Sequence, residues 1–134
     1  MRQFEPDMNM PHFIIKGVFP SLNEYLAEEA KHPKKGGAIK RKYMEIAAWE
    51  IRSQLKRYHT DHKVILHYHF YEQNMKRDKD NVFSFVSKSI QDALQVCKVI
   101  NNDGWKNIEN FTHDFFLDRD NPRIEVWIEE IKDV

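Results

Sequence analysis

The chain has 134 residues, with 21 Lys plus Arg against 21 Asp plus Glu, so net charge neither favours nor excludes an acidic or basic partner and only charge placement can. Its 41% apolar content, with nine Phe, five Tyr and three Trp, excludes a disordered chain and fits a single domain, 1–134, that can bury a core. One cysteine, Cys97, excludes an intrachain disulfide and fits a reducing compartment.

Residues 1–11 read as an irregular lead-in; MRQFEPDMNM carries acids and a proline and is not expected to act as a signal peptide. No stretch approaches the ~20 apolar residues of a membrane span, so a cytoplasmic protein with no membrane partner is expected. HFIIKGVF (12–19) is rich in β-branched and aromatic residues and predicts the first strand. Pro20-Ser21-Leu22-Asn23 ends it, because Pro20 removes a ladder donor and Ser21 and Asn23 favour a turn. KHPKKGGAIKRK (31–42) holds six Lys or Arg and no acid. Pro33, Gly36 and Gly37 keep its first half irregular. A helix is predicted from about Ala38 to Tyr58, with Ile39, Tyr43, Ile46, Ile51 and Leu55 as its apolar stripe. The basic run has two readings, a phosphate-contacting loop at a helix N-terminus or a solvated loop.

KVILHYHFYE (63–72) alternates and predicts a second strand. His67 and His69 share one of its faces, as two metal ligands could, but no further His or Cys falls at zinc-like spacing. Asp80 or Asn81 is the expected N-cap of a helix running to about residue 98. Val82, Phe83, Val86, Ile90, Ala93, Leu94 and Cys97 form its buried stripe, which makes Cys97 a small core residue rather than a nucleophile. Lys88 and Asp92, four apart, can pair on the opposite side. Asn101–Gly104 is turn chemistry, Ile108–Leu117 a third strand, Asp118–Pro122 a hairpin turn and Arg123–Ile131 a last strand. The predicted class is mixed α/β (α+β): one four-stranded mixed sheet with two helices, in the order β-α-β-α-β-β.

The stretch KRDKDNVFSFVSKSIQDALQVCKVINND (76–103) carries the chemistry. It opens on Asp78 and Asp80 set among Lys76, Arg77 and Lys79, and it closes on Asp103. Mg²⁺ takes oxygen ligands and keeps several waters, so one to three carboxylates suffice, and nearby cations suit a phosphate as a further ligand. Such an ion polarises a scissile phosphate and lowers the pKa of a bound water.

With these residues in view, the chain resembles the RusA family of Holliday-junction resolvases over roughly 13–130. The matching segments are Pro20-Ser21-Leu22-Asn23, Arg77-Asp78-Lys79-Asp80-Asn81, Asp92-Ala93-Leu94 and Asn102-Asp103. The resemblance implies Mg²⁺-dependent (Mn²⁺ as substitute) nicking of four-way DNA by a homodimer, with Asp78, Asp80 and Asp103 as catalytic metal ligands. Two positions depart from the family pattern. Asn102 stands where the acidic doublet begins, and Ser84 stands one turn after the second aspartate, where the family has a catalytic lysine. Counting back from Asp92-Ala93-Leu94 instead offers Lys88, which could stabilise phosphate charge or simply pair with Asp92. Lys34, Lys35, Lys40, Arg41, Lys76 and Arg77 are the expected DNA contacts.

A straight helix from 81 to 98 is on the order of 27 Å long, and the five residues to Asp103 can retrace at most about 17 Å. Either the helix bends or stops early, or Asp103 is donated across a dimer. Two other readings remain open at this stage: a branched-DNA-binding protein of the same fold that does not cleave, and a protein-interaction module.

Overall fold

The computed structural model describes residues 4–132. Its regular elements are β1 (His12–Lys16), α1 (Leu22–Lys31), a 3-10 turn (Pro33–Lys35), α2 (Gly36–Leu55), β2 (Lys63–Glu72), α3 (Lys79–Val96), β3 (Ile108–Leu117) and β4 (Arg123–Ile131). The strands form one mixed sheet in the order β1-β4-β2-β3. β2 runs parallel to β3, and β4 is antiparallel to both β1 and β2. The mixed class and the four-stranded sheet agree with the sequence reading; the helix count does not.

Period-two alternation decides which side chains enter the core. Phe13 and Ile15, Val64, Leu66, Tyr68 and Phe70, and Ile124, Val126 and Ile128 turn to one face. There they meet Ala47, Ala48 and Ile51 of α2 and Val82, Val86, Ile90 and Leu94 of α3. A parallel pair needs a long crossover, and α3 is the one that joins β2 to β3. Among the described residues no helix is long and apolar enough to cross a membrane.

Three corrections follow. First, Ser21 does not merely end a strand; it starts α1. Its side chain accepts from Glu24 N–H (3.2 Å) and Glu24 Oε1 accepts from Ser21 N–H (2.8 Å), a reciprocal capping box that satisfies two orphan donors. β1 accordingly stops at Lys16, ahead of Gly17 in a positive-φ conformation. Second, the 118–122 segment is no hairpin turn. Asp118 N–H donates to Glu72 O (2.8 Å), which carries the chain over the end of β2, so β4 lies between β1 and β2. Six of the ten β2 residues are buried, on both faces, because the helices cover one face and Phe4 lies over His67 and His69 on the other. Third, Gly36 and Gly37 lie inside α2 rather than in an irregular loop.

Gly36 is buried where α2 crosses α1. A Cβ built there would lie 2.5 Å from Glu29 Oε2 and 3.0 Å from Tyr25 Oη. Those two groups are joined, since Tyr25 O–H donates to Glu29 Oε2 (2.6 Å). Gly36→Ala is therefore expected to displace the Glu29 carboxylate from Tyr25 and to be about 0.5–1.5 kcal/mol less stable than Gly37→Ala, the worth of that hydrogen bond, read as a lower urea midpoint with an unchanged slope. Gly37→Ala, with open space around it, is the control and should cost nothing.

Candidate metal and phosphate site

The acidic doublet sits where β2 ends and α3 begins. Asp78, extended at φ −69° and ψ 136°, is the N-cap residue of α3 although its carboxylate makes no capping bond. Asp80 lies in the first turn and accepts from Asn81 N–H (2.9 Å). Both are exposed. The cap is thus two or three residues ahead of the expected position.

Arg77 holds this corner. Its Nε and Nη2 donate to the two oxygens of Glu72 at 2.9 Å each, and its Nη1 donates to Phe19 O (2.6 Å) and Glu24 Oε1 (2.7 Å). One guanidinium thereby ties the end of β2, the β1–α1 connection and the capping box of α1 to the residue before Asp78. A bidentate fork of this kind fixes geometry as well as adding energy. Arg77, expected to contact phosphate, has four of its five N–H donors engaged inside the protein; Lys76 is exposed. Lys79 reaches the other way, its Nζ 5.7 Å from the Phe115 ring centroid.

Asp103 lies elsewhere. α3 runs unbroken for 18 residues, and the turn after it folds back on the middle of the helix, not its start. Asp103 Oδ2 is 3.6 Å from Lys88 Nζ, which is also 3.0 Å from Asp92 Oδ1. Lys88 follows Asp80 by eight residues, about 12 Å along the axis. Among the described residues no group of three or more His, Cys, Asp and Glu could hold a metal ion. Asp78 and Asp80 alone suit a hydrated Mg²⁺ completed by water and phosphate, the usual form for that ion. The Asp92 carboxylate, helped by Asp103, holds the Lys88 ammonium above the ordinary lysine range, so Lys88 is a fixed positive charge and not a base. Ser84 turns its hydroxyl back to Asp80 O (2.7 Å).

The basic run wraps the same side. Lys34 and Lys35 form the exposed 3-10 turn, and Lys40 and Arg41 the opening turns of α2. A cleft of about 440 Å³ between α1 and α3 is lined by Lys40 together with Ser84, Lys88 and Asp92 over a floor of Tyr25 and Phe85. A second, of about 550 Å³, brings Lys35 and Lys42 beside Arg77. The fold thus places Lys40 with Lys88 and Lys35 with Arg77, juxtapositions that sequence spacing does not contain. Trp105, not singled out in the sequence, is 94% exposed two residues beyond Asp103. Its signal was an aromatic inside a turn of otherwise polar residues.

His67 and His69 are buried beneath the lead-in. His67 Nε2 lies 2.8 Å from Glu129 Oε1 and its Nδ1 2.6 Å from Thr112 Oγ1, so both nitrogens are engaged. Cys97 is half-buried against the core; it donates its thiol to Ala48 O (3.4 Å), and burial pushes its pKa up.

No known protein-family model matches the chain, and no curated protein is significantly similar to it. The resemblance to the RusA resolvases rests on its motifs alone.

Proposed function

We propose that the protein is a Mg²⁺-dependent endonuclease that acts on four-way DNA as a homodimer in the cytoplasm. The observation that carries the reading is the exposed Asp78–Asp80 pair at the start of α3, held by the Arg77 fork with the exposed Lys76 beside it. When bound, the metal would polarise a phosphate and acidify a water. Asp78 and Asp80 would hold it, and Lys76 would draw the phosphate toward them. Lys88 would meet a neighbouring phosphate across the cleft it shares with Lys40. Trp105 offers a flat apolar face on which an unpaired base at a branch point can stack. Two-fold symmetry would give two sites for two strands of a nearly two-fold junction.

The test is cleavage of a labelled mobile four-way junction beside matched linear duplex, with Mg²⁺ or EDTA. Paired symmetric nicks in the junction alone, dependent on Mg²⁺ or Mn²⁺, are the expected result. Neither binding nor nicking would reject the reading.

Neutralising Lys34, Lys35, Lys40 and Arg41 together is expected to weaken junction binding and flatten its salt dependence. Each lost phosphate contact lowers the slope of log K against log salt by about 0.9. An unchanged slope in a salt titration would remove the basic run from the interface.

A second reading is a branched-DNA binder that does not cleave. The pairing of Lys88 with Asp92 and Asp103, away from the doublet, favours it. Junction binding without nicking in Mg²⁺ and in Mn²⁺ would decide for it.

A further inference from the structure

The face of the sheet away from the helices is covered by the lead-in. Phe4 stacks on the His67 ring with centroids 3.6 Å apart and planes within 6°. It also presents its ring to His69 at 6.0 Å and to Trp127 at 5.9 Å. Under it His67, His69 and Trp127 are only 4%, 6% and 6% exposed, on a face where side chains of an open sheet would ordinarily be solvated.

His69 is the anomaly of this face. Its Nε2 is buried and, among the described residues, without a hydrogen-bond partner. On β3 the cross-strand neighbour is Asp114, whose Oδ2 is 3.6 Å away, beyond hydrogen-bonding range; on β4 it is Glu125. Glu125 is already taken by Arg123 Nε (2.8 Å) and faced by His12 of β1 (3.4 Å). On β2 itself the neighbour is His67, bound to Glu129. The described part of the lead-in brings Phe4 and the exposed Glu5, and among the described residues no donor or acceptor reaches this nitrogen.

We propose that residues 4–11 form a strap whose docking is released when His69 takes up a proton. With the strap down, the neutral imidazole lies under an apolar ring, and a charge there would be buried with neither water nor a bonded carboxylate. With the strap lifted, water reaches Nε2 and Asp114 is free to turn toward it. Burial lowers the His69 pKa from its ordinary value of 6.5 against the opposing pull of Asp114 and Glu125. The undocked state therefore binds the proton more tightly. Docking is at full strength above about pH 6.5 and weakens as pH falls below it, about tenfold for each unit by which burial displaces the pKa.

The experiment is an NMR titration of the histidine rings, with amide exchange of Glu5 and of residues 7–10, in the full chain from pH 7.5 to 5. Rates are corrected for intrinsic chemistry. In the parent protein His69 should titrate below 6.5, and lead-in protection should fall in the same pH range. Phe4→Ala, a change at a half-buried residue outside the sheet, should move the His69 midpoint up toward 6.5 and remove lead-in protection at every pH. His69→Asn should keep the lead-in protected down to pH 5. Lead-in protection indifferent to pH in the parent, or a His69 midpoint unmoved by Phe4→Ala, would overturn the strap. The result is independent of any nuclease activity.

Discussion

Asp80→Asn is expected to abolish Mg²⁺-dependent nicking while leaving junction binding in EDTA intact. The change keeps the shape of the side chain and its bond from Asn81 N–H, and removes one of only two carboxylates at the start of α3. A metal that stabilises a phosphoryl transition state contributes several kcal/mol, so the loss should be at least about 10²-fold in rate. Asp78→Asn should match it. Asp103 is the discriminating position, because Lys88 holds it near mid-helix. If Asp103 completes a site across a two-fold axis, mixing inactive Asp80→Asn and Asp103→Asn chains restores one intact site in each heterodimer. Random mixing then returns about a quarter of parental nicking. If Asp103 acts within its own chain, every heterodimer has two broken sites and mixing restores nothing. Full activity in Asp103→Asn alone would remove it from the chemistry altogether.

Arg77→Ala is expected to lower the unfolding free energy by about 2–3 kcal/mol, rather than to weaken DNA binding selectively. The Arg77 and Glu72 side chains are 17% and 15% exposed, and truncating one strands the other's charge in a largely dry corner. The same truncation leaves Phe19 O without its donor and frees Glu24 from one of its two bonds. Arg77→Lys should recover less than half of the loss, because an ammonium cannot reproduce two parallel bonds to one carboxylate. Urea unfolding measures the cost. A stable Arg77→Ala protein with weakened junction affinity would instead make Arg77 a phosphate contact. Since Arg77 precedes Asp78 directly, Arg77→Ala should also lose metal affinity as the doublet loosens.

Strands β2, β3 and β4 were legible to the residue because alternation and β-branched content act over neighbours a few positions apart. The core of α3 was nearly so: Phe85, Ser87 and Ser89, outside the expected stripe, are buried as well, and Phe83 and Cys97 within it are only half-buried. α1 was also written in the chain, as the Ser21–Glu24 spacing of a capping box, but the turn-forming residues around it masked the signal. The hairpin expected at 118–122 failed for a different reason. Turn chemistry reports that the chain reverses there, not which strand it reverses beside. Ile46, placed in the apolar stripe of α2, is 36% exposed because small Ala47 and Ala48 let that helix sit close with a different face turned inward.

The same division holds for the site. Residue types at short spacing determined the acidic doublet among cations, the Lys88–Asp92 pair and the inert role of Cys97, because each depends on neighbours within about one helical turn. Tertiary structure alone decided that Arg77 is a structural clamp, that Lys40 faces Lys88, that Asp103 lies beside mid-helix and not at the doublet, and that two histidines lie buried under Phe4. Each of these depends on contacts between segments dozens of residues apart, set by strand order and by which face of the sheet the helices cover. Local propensity carries no information about either.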